Sequence, residues 1–285
     1  MESSGTLYIV ATPIGNVADI SERARQTLAE VDRILAEDTR TTRKLLEHYG
    51  IKTPCDAVHD HNERDKVSLI AQWLQSGQNL ALVSDAGTPL ISDPGYHVVS
   101  SLRQQGFHIV PIPGPSALTA ALSVCGLATD RFCFEGFLSS KSAGRRQRLS
   151  LLAREKRTLV FYEAPHRLLA SIEDMSEIFG PEREASLCRE LTKTFETIWT
   201  GPLSQLAAFV GADTNQQRGE AVILVAGEAS ASKQDSLSQD DEHLLEILVA
   251  ELPLKKASVL AAKYTGKAKQ AFYQYGLSLS GDDAG

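Results

Sequence analysis

Short apolar, β-branched runs alternate with amphipathic stretches through the first 227 residues, and that alternation leaves few folds open. TLYIVAT (6–12) reads as a strand, followed by a Pro/Gly turn and an amphipathic helix over 21–31. DRILAED (32–38) is a second strand and 41–48 a helix. A helix over 64–76 leads to NLALVSD (79–85), a helix over 96–105 and FHIVPIP (107–113). Strands that alternate with helices in this way imply a parallel sheet covered by helices on both faces.

The pattern restarts after Pro115. A helix of small residues (116–125) precedes RFCFEGF (131–137), a basic helix (142–155), RTLVFYE (157–163), a helix (166–179) and EASLCREL (184–191). FETIWTG (195–201) and EAVILVAG (220–227) complete a second sheet. Three prolines within 111–115 make a stiff, extended connection, so the boundary between two α/β domains is placed there. The expected organisation is an N-terminal α/β domain over 1–112, a second over 113–228, a linker over 229–239 and a small helical appendage over 240–285. Residues 228–251 carry seven acids and one Lys, whereas 252–281 carry five Lys and no acid, so the appendage is basic.

Composition narrows the function. At 285 residues, 42% hydrophobic and 23% charged, the chain is of ordinary globular type, long enough for a sizeable core. The four cysteines (55, 125, 133 and 188) form no C-x-x-C pair, which excludes zinc ribbons and thioredoxin-type motifs. Scattered cysteines and the lack of a basic, apolar leader fit the reducing cytoplasm. No apolar run approaches the ~20 residues that cross a bilayer, so no membrane association is expected. A net charge of −7 argues against nonspecific polyanion binding by charge alone. G-x-G-x-x-G after the first strand, G-x-x-x-x-G-K-[ST], G-x-S-x-G and H-E-x-x-H are all absent from the sequence. That disfavours dinucleotide Rossmann enzymes, P-loop NTPases, α/β-hydrolases and zincins.

In open α/β sheets, ligands bind beyond the carboxyl ends of the strands. Three single loops and one pair of loops meet that condition. TPIGN (12–16) follows the first strand, and its Gly15 lets a backbone come close to a ligand. SDAGTPLISDPG (84–95) packs two Asp, two Gly and two Pro into one stiff loop. PGPSAL (113–118) offers small residues at the start of a helix. FYEAPHR (161–167) and RELTKTFE (189–196) bring acids and bases to strand ends. A plain turn, a capping Asp or a solvated loop is the competing reading of each. HDHNE (59–63) invites a metal, but its two His lie two apart with no further ligand at metal spacing, so no metal is expected. A polar loop facing the cleft fits better.

Taken together and in order, these segments resemble the tetrapyrrole (corrin/porphyrin) methylase superfamily, and within it the ribosomal RNA small subunit methyltransferase I family. The resemblance rests on YIVATPIGNVADIS, AEDTRTTRKLL, HDHNE, LVSDAGTPLISDPG, IPGPSALTAAL, FCFEGFL, FYEAPHRL, RELTKTFE and GEAVILVAG, which span about residues 6–227. It implies a two-domain methylase with S-adenosylmethionine (SAM) in the inter-domain cleft, a homodimer, and 2′-O-methylation of a cytidine ribose in 16S rRNA of the small ribosomal subunit. It implies SAM contacts at Pro13, at Ser84, Asp85, Ala86, Gly87 and Ile91, at Ser116 and Ala117, and at Tyr162. TPIGN departs from the more glycine-rich first loop of the corrin-methylating relatives.

A ribose hydroxyl is a weak acid, so its proton must be accepted or its developing charge stabilised. Asp38, His61, Glu163 and Glu190 are candidate acceptors, unranked. Arg40, Arg189 and Lys193 are candidates to stabilise an alkoxide or grip a phosphate. Residues 141–157 hold seven basic residues and one acid, so Arg145, Arg146 and Arg148 are expected to bind RNA phosphates. Lys255, Lys256, Lys267 and Lys269 of the tail are expected to do the same, with Tyr264, Phe272, Tyr273 and Tyr275 divided between core and base stacking. Two alternatives stand beside this reading: a methylase of a tetrapyrrole intermediate, and a non-enzymatic nucleic-acid-binding protein with a helix-turn-helix tail.

Overall fold

The computed structural model describes residues 4–59, 62–228 and 237–281. Residues 1–226 form one compact unit and 227–285 another.

The first unit holds two five-stranded sheets. The first is built from β1 (Thr6–Val10), β2 (Arg33–Ala36), β3 (Cys55–Ala57), β4 (Leu80–Val83) and β5 (His108–Ile112), in the order β3-β2-β4-β1-β5. Every pairing in it is parallel. Alternate side chains of each strand go to opposite faces. Val10, Ile34, Ala36, Ala81 and Val83 pack against α1 (Glu22–Glu30) and α2 (Thr39–His48), through Ala24, Leu28 and Leu46. Leu7, Leu35, Leu80 and Leu82 pack on the other face against α3 (Glu63–Gln75) and α4 (Tyr96–Gln104), through Ile70, Leu74, Val98 and Leu102. Burial on both faces explains the unbroken apolar run of β4, all four residues of which are buried. Local chemistry sets the helix starts. Ser21 caps α1 by accepting the Ala24 amide at 3.1 Å, and Asp38 caps α2 by accepting the Arg40 amide at 2.8 Å.

The second sheet comprises β6 (Phe132–Phe137), β7 (Thr158–Glu163), β8 (Glu184–Arg189), β9 (Thr197–Pro202) and β10 (Ala221–Val225), in the order β6-β7-β10-β8-β9. Here the expectation of parallel pairing fails. Only β6 and β7 run parallel; β10 is antiparallel to both β7 and β8, and β9 to β8. A parallel return needs a crossover of a dozen or more residues. The chain leaves β8 and re-enters β9 after seven residues, 190–196, so only a hairpin-like return is available.

One face of this sheet packs Leu159, Phe161, Leu187 and Ile223 against α6 (Ser142–Leu152), α7 (Leu168–Phe179) and α8 (Leu203–Ala212). The other face, with Val160, Cys188, Val222 and Leu224, packs against α5 (Ala117–Val124) and Ile14 of the first loop. Ile14 thus carries the TPIGN loop onto the second sheet.

Four further details differ from the sequence expectations. The short β3 and the helix α8 were not anticipated, the basic helix ends at Leu152, and α7 begins at Leu168 after a 3-10 turn over Pro165–Arg167.

The second unit is a three-helix group: α9 (Gln239–Glu251), α10 (Leu254–Thr265) and α11 (Lys269–Gly281). Leu245, Ala257, Ala261 and Phe272 form its core. Ser238 and Asp241 make a capping box at the start of α9. Most of the expected linker, 229–236, lies outside the described residues.

Candidate active site

The carboxyl ends of the strands open on a cavity of about 390 Å³ lined from both sheets. From the first sheet come Ile14 after β1, Glu37 after β2, and Asp85 to Thr88 with Ile91, Ser92 and Asp93 after β4. The start of α5 supplies Ser116 and Ala117. The second sheet adds Phe137, Tyr162 to Pro165, Cys188, Leu191 and Glu220 to Val222.

The loop over 84–95 is tied at both ends. Thr12 and Gly87 exchange two backbone hydrogen bonds, at 2.8 and 3.0 Å, which clamp the loop to the end of β1. The Thr12 hydroxyl donates to the Ser84 carbonyl at 3.2 Å. At the far end the buried Glu63 carboxylate accepts the Gly95 amide at 2.8 Å, and His97 stands 3.8 Å from its other oxygen. Between the anchors Leu90 and Ser92 adopt φ of 72° and 66°, a region that non-glycine residues enter at a cost of about 1–3 kcal/mol. Anchored ends hold that strain, so the loop stands formed before any ligand arrives. Glu63 gives HDHNE a role that its spacing did not reveal; His61 and Asp60 lie outside the described residues.

The acids at the rim differ in character. Asp38 accepts the Arg40 side chain through both oxygens, at 3.1 and 2.8 Å, and this pairing draws its carboxyl down to about 2. Asp85 accepts the Asp38 amide at 3.0 Å, but burial pushes its carboxyl above the ordinary aspartate value. Glu163 is almost fully buried; it takes hydrogen bonds from Ser171 at 2.5 Å and from the Ala164 amide at 2.8 Å, and pairs with Arg167 at 2.6 Å. Both of its oxygens are thereby engaged in holding the turn after β7.

Lys193 bridges Glu190 and Glu220, each at 2.9 Å. Burial by itself works against the charge on Glu190 and on Lys193. The ion pairs outweigh it, so the Glu190 carboxyl lies below its ordinary value and the Lys193 ammonium above. Tyr162 accepts the Leu118 amide at 3.1 Å, which fixes the first turn of α5, and burial pushes its phenol up.

Of the nine residues expected at the cofactor, Asp85, Ala86, Gly87, Ile91, Ser116, Ala117 and Tyr162 line the cavity. Ser84 is buried behind the wall and Ile14 stands where Pro13 was expected. Glu37, Asp93, Cys188, Leu191 and the segment 220–222 were not singled out from sequence. The last of these escaped because it begins a strand. β10 runs antiparallel to β7 and β8, pairing Ala221 with Glu163 and with Arg189, so its start lies level with their ends.

The expected RNA-binding arginines need correction. Arg145 is buried and paired with Asp174 at 2.6 Å. Arg146 pairs with Asp174 and Glu177, and Arg148 with Glu135 at 2.6 Å. Acids brought from α7 and β6 thus engage these three arginines, while Lys141, Arg154 and Lys156 of the same block are exposed. Arg189 is buried too, donating to Gln216, Thr197 and the carbonyls of Phe195 and Arg218 at 3.0–3.2 Å. In the second unit Lys267 is held by Asp241, whereas Lys255, Lys256 and Lys269 are exposed. Phe272 is core and Tyr264 is exposed.

The donor set fits SAM. Five acids and no Lys or Arg line the cavity, which suits a sulfonium and an ammonium group. Ile14, Ala117, Leu191 and Val222 give an apolar wall against which a planar base can lie. Among the described residues no cluster of His, Cys, Asp and Glu is arranged to hold a metal, and no helix is long and apolar enough to cross a membrane.

Comparison with known proteins agrees with this architecture. Residues 6–207 match the family described as Tetrapyrrole (Corrin/Porphyrin) Methylases, and residues 235–280 match the RsmI C-terminal HTH domain. The ribosomal RNA small subunit methyltransferase I of Pseudomonas aeruginosa is 54% identical over 279 residues, 98% of this chain and 99% of its own. That of Haemophilus influenzae is 50% identical over 275 residues, 96% of this chain and 97% of its own. Among solved structures, uroporphyrin-III-C-methyltransferase from Thermus thermophilus aligns with a TM-score of 0.56 at 19% identity, covering 78% of this chain and 94% of its own. Diphthine synthase aligns with a TM-score of 0.59 at 15% identity, covering 78% and 90%. These two share the fold of the first unit, while the near full-length identity places the whole chain: it belongs to the ribosomal RNA small subunit methyltransferase I family of the tetrapyrrole methylases.

Proposed function

We propose that this protein uses SAM to methylate the ribose 2′-hydroxyl of a cytidine in 16S rRNA of the small ribosomal subunit, acting as a homodimer in the cytoplasm. The observation that carries the reading is the 54% identity, over 98% of the chain, with a relative named for small-subunit rRNA methylation. The nucleotide, the 2′-oxygen and the dimer rest on the family resemblance. The acidic, apolar-walled cavity supports the choice of cofactor.

Bound SAM supplies an electrophilic methyl group on a good leaving group. The chain's residues have three tasks. Asp85 and the backbone of 86–87, clamped by Thr12, hold one side of the cleft, and Ser116 and Ala117 hold the other. Such positioning can contribute about 7–11 kcal/mol to lowering the barrier. Lys193 stays protonated between Glu190 and Glu220 and is suited to stabilise negative charge developing on the ribose oxygen, not to accept a proton. Asp38, drawn down to about 2, and Glu163, fully engaged, are poor acceptors. Of the four candidate acceptors, that leaves Glu190 and His61.

The test incubates the protein with small ribosomal subunits from cells lacking the gene and with methyl-labelled SAM, then digests the RNA to nucleosides. Label in 2′-O-methylcytidine is expected. Label on a base, on another nucleoside or in no RNA at all would overturn the reading.

A further inference from the structure

A cavity lined by Glu37, Asp85 and Asp93, besides the ion-paired Glu163 and Glu220, and by no Lys or Arg disfavours a polyanion, yet a ribose cannot enter it without its flanking phosphates close behind. Cations at the rim must offset that repulsion. In the block over 141–157, Arg145, Arg146 and Arg148 are already engaged by acids, and the exposed Lys141, Arg154 and Lys156 stand on or beside α6, which contributes no residue to the cavity.

Helix α2 is placed to supply such cations. It starts directly after Glu37, which lines the cavity, and its N-cap Asp38 donates its amide to Asp85 in the cavity wall. Thr42 and Leu46 turn inward and are buried. The opposite face carries Arg40, Arg43, Lys44 and Glu47, spaced three and four apart and all exposed. Arg40 is partly neutralised by Asp38. Arg43 and Lys44 make no ion pair or side-chain hydrogen bond among the described residues. At 1.5 Å per residue, Arg43 lies roughly 7–8 Å along the helix from Asp38, so both cations stay within two turns of the helix start beside the cavity. Glu47 is the one acid of this face, a turn farther from the cleft.

We propose that Arg43 and Lys44 form a phosphate track that grips the RNA backbone beside the target nucleotide. The proposal rests on the reading that the substrate is RNA and specifies where on the surface it runs.

The experiment measures binding of small ribosomal subunits and of a 16S rRNA fragment against salt, together with SAM affinity and methylation. It compares the wild-type protein with R43A/K44A, R43E/K44E and the charge-matched control K52E/R103E. Lys52 precedes β3 and Arg103 lies in the last turn of α4 before β5; both are exposed, and both lead into the amino ends of the edge strands, opposite the carboxyl ends that open on the cavity. Each lost single-strand phosphate contact should flatten the slope of log K against log salt by about 0.7. R43A/K44A is expected to lose tenfold or more in RNA affinity and about 1.4 in slope, R43E/K44E more, with SAM affinity within twofold of wild type. K52E/R103E should stay close to wild type. Equal losses in the two charge-reversed proteins would show a general charge effect and overturn the proposal, as would an unchanged slope in R43A/K44A. If the wild-type protein neither binds nor methylates RNA, the underlying reading falls, and the track with it.

Discussion

Glu63 and Gly95 lie 32 residues apart in sequence, and the carboxylate of one accepts the backbone amide of the other at 2.8 Å in a buried setting. The bond joins the first turn of α3 to the last residue before α4, so a helix start supports the end of the cofactor loop. Glu63→Gln keeps an acceptor and should cost little. Glu63→Leu leaves the Gly95 amide unpaired, which should destabilise by about 1–3 kcal/mol and weaken SAM binding. Urea midpoints and SAM titration of both variants check this. A Leu variant that binds SAM as the wild type does would remove the support role.

Arg145→Ala removes one of the two arginines that pair with the buried Asp174; Arg146 stays at 2.9 Å, so the change should cost about 1.5–3 kcal/mol of stability. Arg148 is half exposed but the side chain of its partner Glu135 is only 8% exposed, so Arg148→Ala takes the ion-pair partner from a largely buried carboxylate and should cost about 1–3 kcal/mol. Neither change should alter the salt dependence of RNA binding. Urea denaturation gives the first pair of numbers and salt titration the second.

The pair formed by Glu190 and Lys193 gives stability a defined pH window. Glu190 lies below its ordinary value in the folded state, so its contribution is present above about 4.5 and is lost as pH falls through the folded value. Lys193 lies above its ordinary value, so its contribution is present below about 10.5 and is lost as pH rises through the raised value. The difference in urea midpoint between the wild type and Lys193→Met should therefore be largest between about pH 5 and pH 10 and shrink on either side. A difference independent of pH would mean that the pair contributes only packing.

Much of this was legible in the sequence because strand and helix periods differ sharply. The apolar runs of β4 and β10 and the small-residue start of α5 named their own environments. The glycine- and proline-rich loops marked the strand ends that line the cavity. Direction of pairing was not legible: nothing in AVILV says that β10 runs against β7, and so Glu220–Val222 escaped attention as a wall of the site. Charge pairing was not legible either. Arg145 reads as a solvated cation until Asp174, 29 residues on, is folded against it. Local charge density in sequence says little about surface potential when the opposing acids arrive from another element.

Gly15 illustrates the same limit and carries the last prediction. Its place in a loop after β1 suggests that a ligand approaches its backbone. The structure brings protein there instead. A Cβ added at Gly15 would meet the Lys193 Cγ at 2.5 Å, the Thr192 Oγ1 at 2.8 Å and the Leu191 carbonyl oxygen at 3.1 Å. The Asn16 amide donates to that same Thr192 hydroxyl at 3.0 Å. The lysine chain can swing aside, but the Leu191 carbonyl is backbone, and Leu191 lines the cavity together with Ile14. Relief must therefore come from separating the TPIGN and RELTK loops, which opens the cleft and shifts Lys193. Gly15→Ala should cost about 1–3 kcal/mol of stability, in the range of overpacked sites, and should lower methyl transfer more than it lowers SAM affinity. Such a split is expected on the proposed reading, in which Lys193 stabilises the developing charge and the 84–95 loop and α5 hold the cofactor. Steady-state kinetics with SAM varied, set beside equilibrium SAM binding, measures the split. A variant in which activity and affinity fall in equal proportion would show that the loop contact serves binding alone.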